Sequence, residues 1–519
     1  MKTIIKLFFL MLLCETCFPQ STYKKVIKTS GCYEYGKLKV DTANSKVLLL
    51  SCVNFSIFDL SANLISEKYF SKDGSVAGFD KSFFVSANKF IYSYYEVFSL
   101  NLKPSLYLCD STGVIFWKHY HDIPGQTFSN CNNIVCTGDS NLLGVGVHTS
   151  LSSNNTIEPY FFKLSIAGNL LWAKKYTGFY SMAPIIAAIS NTEYLMGMNV
   201  GSGCGTGICK IDSSGKVLWT KSYIRPRSMF YSSVLKNNIV TLVGNPDTSH
   251  AVIGNINYYS PYLFFMQTDT AGNVLTAKQY GDSSHVLDKA TIKATYDGGY
   301  IIITTLTVNN NTKLCLIKTD SSGNIQWTRH HGGDFTNEIG LDVDIMPDSG
   351  YIALGKTDAP GAVNNYYLIK TDSLGFAGCQ EYTDTIPVST LNVTDSLITI
   401  YDSTLTVNEY TASVHDTVLP PSIINPGCNL ALGMNQNQGS FYNKSLAYPN
   451  PTQGKFQIKT NATYKLTVTV YDTKGVQLFK KQYRNAGDVN LDLTGYGKGV
   501  YSIRIVDNKT TRWSKVVVE

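Results

Sequence analysis

Between Asp288 and Gly333 the apolar residues fall into four short runs, KATIKATY, GYIIITTLTV, KLCLIKTD and NIQWTRHH, broken by DGG, NNNT and SSG. The runs are rich in β-branched and aromatic residues, and they lack the 3.6-residue period of an amphipathic helix. The pattern predicts four short strands with tight turns between them. The layout returns in DSGYIALGKT, YYLIKTD and GFAGCQEY.

A nine-residue phrase marks the same turn repeatedly: CDSTGVIFW (Cys109 to Trp117), LSIAGNLLW (to Trp172), IDSSGKVLW (to Trp219) and TDSSGNIQW (to Trp327). Its anchor residues are Asp59, Asp110, Ser165, Asp212, Asp269, Asp320 and Asp372, at steps of 51, 55, 47, 57, 51 and 52. Three positions on stand Gly113, Gly168, Gly215, Gly272, Gly323 and Gly375, with Ala62 in the first unit, as a tight turn with positive φ requires. Seven positions on stand Trp117, Trp172, Trp219 and Trp327, with Ser66, Thr276 and Cys379 in the other units. Tyr69, Tyr120, Tyr176, Tyr223, Tyr280 or His331 follows within three or four residues.

Four strands per fifty residues, repeated seven times, predict an all-β fold, a seven-bladed β-propeller over residues 21–379. A unit of this size cannot bury both faces alone, so the repeated indoles are expected to dock each blade on its neighbour, a reading preferred to sugar-stacking platforms. The seventh unit lacks a fourth strand, and YKKVIKT (Tyr23 to Thr29) is the candidate to supply it.

At 519 residues the chain has room for such a ring and a smaller module. Charged residues are 16% of the total, below the ~25% of an average domain, and the net charge of +6 is spread without a basic block. Nucleic acid is therefore not an expected partner.

The first residues, MKTIIKLFFLMLLCETCFPQS, place Lys2 and Lys6 before an apolar run from Leu7 to Leu13, a secretory signal peptide over residues 1–20. A lipoprotein would acylate Cys14 or Cys17, although Leu13 is bulky for that motif. No later stretch is long and apolar enough to cross a bilayer as a helix. Cleavage leaves ten of twelve cysteines, an even number in an exported chain, and disulfides are expected. The suspected pairs are Cys131 with Cys136, Cys204 with Cys209 across a hairpin tip GTGI, and Cys379 with Cys428. The pairing of Cys32, Cys52, Cys109 and Cys315 stays open.

Residues 380–440 turn rich in Thr, Ser, Val and Asp, and read as an extended linker without a core of its own. Its triplets at Asp384, Asp395 and Asp416 resemble the short O-glycosylation motif of exported Bacteroidota proteins, or arise by chance in a Thr-rich stretch.

In the last segment, 441–519, stand Tyr448-Pro449-Asn450-Pro451-Thr452 with Gly454 and Phe456, then VTVYDTKGVQLF, then VNLDLTGYGKGVYSIRI with Gly499 and Tyr501, and the closing SKVVVE. These resemble the type A C-terminal sorting domain of the type IX secretion system. The resemblance implies a small β-sandwich, the type IX machinery as partner, and a secreted or outer-membrane surface location in a Gram-negative, Bacteroidota-type bacterium. The alternating LTVTVYD and GVYSIRIVD agree with such strands.

No catalytic motif is present: no GxSxG, HExxH, phosphate loop or EF-hand, and no cofactor or metal set is assigned. The pairs His330–His331 and His119–His121 fall at repeat positions held by Tyr or Lys elsewhere and read as strand surface. The turn aspartates read as caps of their own turns. The favoured function is a non-enzymatic binding module for an unknown glycan or protein. The alternative is an enzyme: a polysaccharide-cleaving propeller, or an oxidoreductase of the quinoprotein-like propellers, whose Trp-docking repeat the Asp-x-x-Gly-x-x-x-Trp phrase resembles.

Overall fold

The computed structural model describes residues 22–428 apart from 28–35, 52–53, 70–80, 86–88, 99–100, 111, 113, 125, 151–156, 178–184, 201–204, 225–228, 246–250, 254–255, 259–261, 309–310, 334–335, 359–364, 379–380, 412–416 and 419–423, together with 447–519 apart from 459–465, 472–476, 485–487 and 507–510. Two compact units emerge, Met1–Leu430 and Ala431–Glu519. Among the described residues both are built of antiparallel strands, with a single 3-10 turn at Thr494–Tyr496.

Among the described residues the first unit, the body, contains seven four-stranded antiparallel sets. Six are consecutive meanders over 36–69, 81–122, 126–177, 185–224, 229–280 and 286–331. The fifth carries an extra hairpin, Ala251–Ile253 with Ile256–Tyr258. The second and third are linked by a single parallel bridge, Phe128 to Leu102. The seventh combines Glu338–Ile345, Tyr351–Thr357 and Asn365–Thr371 with Tyr23–Ile27, which pairs antiparallel with Asn365–Thr371. The first described strand thus stands in the last set.

Hydrophobic cores lie between sets and not within them. Leu48, Phe55, Phe90 and Tyr107 join the first to the second, with the Phe55 and Phe90 rings 4.5 Å apart. Equivalent cores join second to third, third to fourth, fourth to fifth, fifth to sixth, and sixth to seventh. A further core joins Leu38, Val47 and Phe58 of the first set to Ile352, Leu354 and Tyr366 of the seventh, with Tyr23 and Ile27 in it. A four-stranded set has two faces to cover, and each is covered by a neighbour.

The Thr-rich segment departs from the expected linker. Short strands within 381–428 add a fifth, outermost strand to every set, in reverse chain order: Glu381–Tyr382 on the sixth, Val388–Thr390 on the fifth, Thr394–Leu397 on the fourth, and Tyr401–Thr404 on the third. Asn408–Thr411 then lies on the second, Thr417–Val418 on the first and Ile424–Cys428 on Tyr23–Ile27 of the seventh. Of the residues expected to form an extended linker, 380–440, the described ones within 381–428 form a strap. The physical reason is edge satisfaction, since each outer strand otherwise presents unpaired N–H and C=O groups.

In the second unit Ala447–Tyr448, Lys455–Ile458 and Val489–Asp492 form one sheet. Gln477–Tyr483, Leu466–Tyr471, Gly499–Val506 and Thr511–Val518 form another. One core, including Phe456, Ile458, Val468, Leu491, Ile503 and Val516, is shared by both.

Candidate functional site

The repeated turn is built the same way in each set. Asp59 Oδ1 accepts the N–H groups of Ser61 and Asn63, both at 2.8 Å. Asp110, Asp212, Asp269, Asp320 and Asp372 accept from the residues two and four positions on, at 2.8–3.0 Å, and Ser165 Oγ accepts from Asn169 at 3.1 Å. Ala62, Gly168, Gly215, Gly272, Gly323 and Gly375 hold φ between 57° and 90°, whereas Gly113 lies outside the described residues. Burial pushes the carboxyls of Asp59, Asp212, Asp269 and Asp320 up, but hydrogen bonds from their own turns outweigh it and leave them below the usual carboxylate range.

These turns receive the indoles of the preceding set. A Cβ on Gly168 would meet Trp117 at 2.8 Å, one on Gly215 would meet Trp172 at 2.8 Å, one on Gly272 Trp219 at 2.6 Å, and one on Gly375 Trp327 at 2.6 Å. Glycine is required there for both φ and close approach. Trp117 Nε1 donates to Ile166 O and Trp172 Nε1 to Ser213 O, each at 2.9 Å. Four residues beyond the indole position, Tyr176, Tyr223 and Tyr280 donate their hydroxyls to Gly215 O, Gly272 O and Gly323 O at 2.5, 2.7 and 2.6 Å. The sixth set has His331 at that place, wholly buried.

The strap meets the same strands with a seven-residue period that the sequence reading missed. Glu381, Val388, Asp395 and Asp402 stand opposite His331, Tyr280, Tyr223 and Tyr176. Leu391, Ile398 and Leu405 donate N–H groups to Ala277 O, Thr220 O and Ala173 O at 3.0, 3.0 and 2.9 Å. Ile386, Leu391 and Ile400 are buried in the cores between sets. Asp402 pairs with Lys174 at 2.7 Å, Asp395 with Lys221 at 2.9 Å and Asp384 with His285 at 3.3 Å. The repeated acidic residue and the apolar pair before it, Leu391/Val393 with Asp395 and Ile398/Ile400 with Asp402, were the available signal.

On the other edge of the sets, Asp342 and Asp344 accept the N–H groups of Leu38 and Val40 at 2.9 and 2.8 Å, so both buried carboxylates tie the seventh set to the first. Their charges outweigh burial and hold the nearby Lys293 above the usual lysine range.

Two suspected disulfides are corrected. Cys131 and Cys136 stand on one strand, Gln126–Cys136. Five residues of strand span roughly 15 Å, beyond the ~5.5 Å between bridged Cα atoms. The sequence GTGI is no hairpin tip: Gly205–Asp212 is a continuous strand whose Gly205 and Gly207 face Val200 and Met198, and Cys209 is a buried free thiol. Burial pushes its thiol up to about 12. Cys204, Cys379, Cys32, Cys52 and Asp416 lie outside the described residues, Cys428 stands opposite Lys24, Cys109 is buried, and Cys315 is a buried free thiol. His330 and His331 are buried beneath the strap, not surface residues. His119 is half-buried against Trp117, with ring centroids 5.2 Å apart.

In the tail, Asn450 Oδ1 accepts the Val517 N–H at 2.8 Å, and Thr452 exchanges backbone hydrogen bonds with Val517 and Glu519. The YPNP run, from Tyr448 through Pro449 and Asn450 to Pro451, is thereby tied to the closing strand. Gly454, at φ 100°, packs on Thr494. The Tyr501 hydroxyl donates to Tyr496 O at 2.7 Å and Gly497 O at 2.8 Å, closing the turn before Gly499.

Residues 446–519 match the family model of the secretion system C-terminal sorting domain. The tail marks the chain for type IX export. Its destination is the cell surface or the medium of a Bacteroidota-type bacterium, and the type IX machinery is its partner. No described helix is long and apolar enough to cross a membrane. No curated protein matches the chain. Among solved structures, Drosophila Plexin A in complex with Semaphorin 1b aligns with 68% of this chain and 88% of its own at 10% identity, with a TM-score of 0.28. The native conformation of E. coli alpha-2-macroglobulin aligns with 97% of this chain and 46% of its own at 9% identity, with a TM-score of 0.12. Scores this low carry no argument about the fold.

Proposed function

We propose that the body closes into a seven-bladed β-propeller and works as a non-enzymatic binding module, carried out of the cell by its sorting tail and holding a glycan or protein on a ring face or in the central channel. The single observation that carries the reading is the core between the seventh and first sets, which has the same make-up as the other six and contains the first strand of the chain. The repeated Trp and Tyr residues are then blade-docking groups, and Trp117, Trp172, Tyr176, Tyr223 and Tyr280 spend their polar atoms on the next turn. The prominent carboxylates are engaged in the same way: the turn aspartates cap their own backbone, and Asp342 and Asp344 hold the seam. That leaves the residues of the repeat committed to architecture and puts recognition on the loops between strands.

The test is a glycan array run beside a polysaccharide hydrolysis screen and a dye-linked oxidation assay, all on the protein purified from the medium or cell surface. Saturable binding without product supports the module. Released sugar or reduced dye overturns it in favour of an enzyme.

A further inference from the structure

The start of the strap, the first strand of the chain and the outer strand of the sixth set meet at one place. Glu381 and Tyr382 pair with His331 and His330. His331 is wholly buried, and neither of its ring nitrogens hydrogen-bonds a described residue. His330 is buried against the Tyr382 ring, with centroids 5.3 Å apart. Lys24 of the first strand is also wholly buried, and its charge acts on both histidines. In the third, fourth and fifth sets this position is a tyrosine that hydrogen-bonds the next turn. Only at the junction with the first strand and the start of the strap does a described set carry an imidazole there.

We propose that this junction is an acid-sensitive latch, in which a proton on His331 releases the start of the strap from the sixth set.

The sign follows from the surroundings. Burial, then the charges of Lys24, His330 and Arg329, hold His331 well below the usual histidine range, so it is neutral while the latch is closed. In an opened latch it returns to the ordinary value of about 6.5. As the pH falls through that value the open form takes up a proton that the closed form refuses, and opening becomes easier down to the closed-state value. His330 acts in the same sense: burial lowers it, with Lys24 and Lys313 adding to the burial and Asp384 opposing. Lys24 is brought down to about 7 by burial, against Glu381 and Glu338, so it is mostly charged below that pH and adds to the repulsion. His285 is the counterweight. It bridges Asp282 at 2.8 Å and Asp384 at 3.3 Å; burial opposes but the two carboxylates prevail and raise it. Its contribution is present in acid and fades as the pH rises through its raised value.

The experiment is amide hydrogen exchange on the full secreted chain at pH 7.5 and 5.5, following residues 381–391 with 394–405 as internal reference, in wild type and in His331→Tyr. The substitution restores the residue that the other sets carry and removes the titrating group. Relative to the reference, protection of 381–391 should fall about tenfold more in wild type than in His331→Tyr, the effect of one histidine between those pH values. Equal pH dependence in the two proteins overturns the latch. A second measurement stands whether or not the variant folds: carbon-13 histidine signals of the wild type. One ring staying neutral to below pH 5.5 supports the proposal, and every ring titrating near 6.5 overturns it.

Discussion

The body and the tail solve the same problem of covering short antiparallel sheets in opposite ways. In the tail the tyrosine hydroxyl at Tyr501 is satisfied by carbonyls four and five residues earlier in the chain. In the body the hydroxyls of Tyr176, Tyr223 and Tyr280 cross to the turn of the next set, and the indoles do the same. The tail is therefore self-sufficient. A body set owns neither of its cores, and its stability is a property of its neighbours.

Replacing residues 381–428 by a Gly/Ser linker should have the largest effect. It bares seven sheet edges and the core positions of Ile386, Leu391 and Ile400, each worth on the order of 2–5 kcal/mol when truncated. The body should lose its cooperative transition and aggregate, by calorimetry and light scattering, while the tail transition stays in place. Next comes Trp219→Ala, which empties the seat over Gly272 and should cost ~3 kcal/mol in the denaturant midpoint of the body alone. A matched pair then sharpens the contrast. Tyr223→Phe and Tyr501→Phe delete the same hydroxyl, and each should cost about 1 kcal/mol, the first in the body transition and the second in the tail transition. The smallest effect belongs to Asp395→Asn. Its partner Lys221 lies 2.9 Å away at a partly exposed site, so the loss should stay below about 1 kcal/mol and vanish in high salt.

How much of this was legible depended on what each residue has to do. The turn phrase was readable because positive φ and, at Gly168, Gly215, Gly272 and Gly375, an indole above it leave almost no choice but glycine, so the constraint recurs at one place along the repeat. The strand at Tyr23 was readable because the seventh set was visibly a strand short. The strap was not. Its strands are two to five residues long, and its described Thr and Ser side chains face solvent, so composition resembled a linker. The signal lay in the seven-residue recurrence of Leu391 and Ile398, Val393 and Ile400, and Asp395 and Asp402. Cys204 and Cys209 misled because two glycines looked like a turn, when Gly205 and Gly207 sit in a strand. His331 was placed on the surface because its neighbours in the repeat are polar strand residues; the strap that buries it had not been recognised.

In the proposed ring the body holds together as a closed set of neighbours, with the strand Tyr23–Ile27 in the last set. Calorimetry of the full chain with Tyr23–Ile27 deleted tests it most directly. The transition of the whole body should move down together, from the first set to the seventh, while the tail transition is unmoved. A body transition that keeps its temperature, or a loss confined to the seventh set by hydrogen exchange, would contradict it.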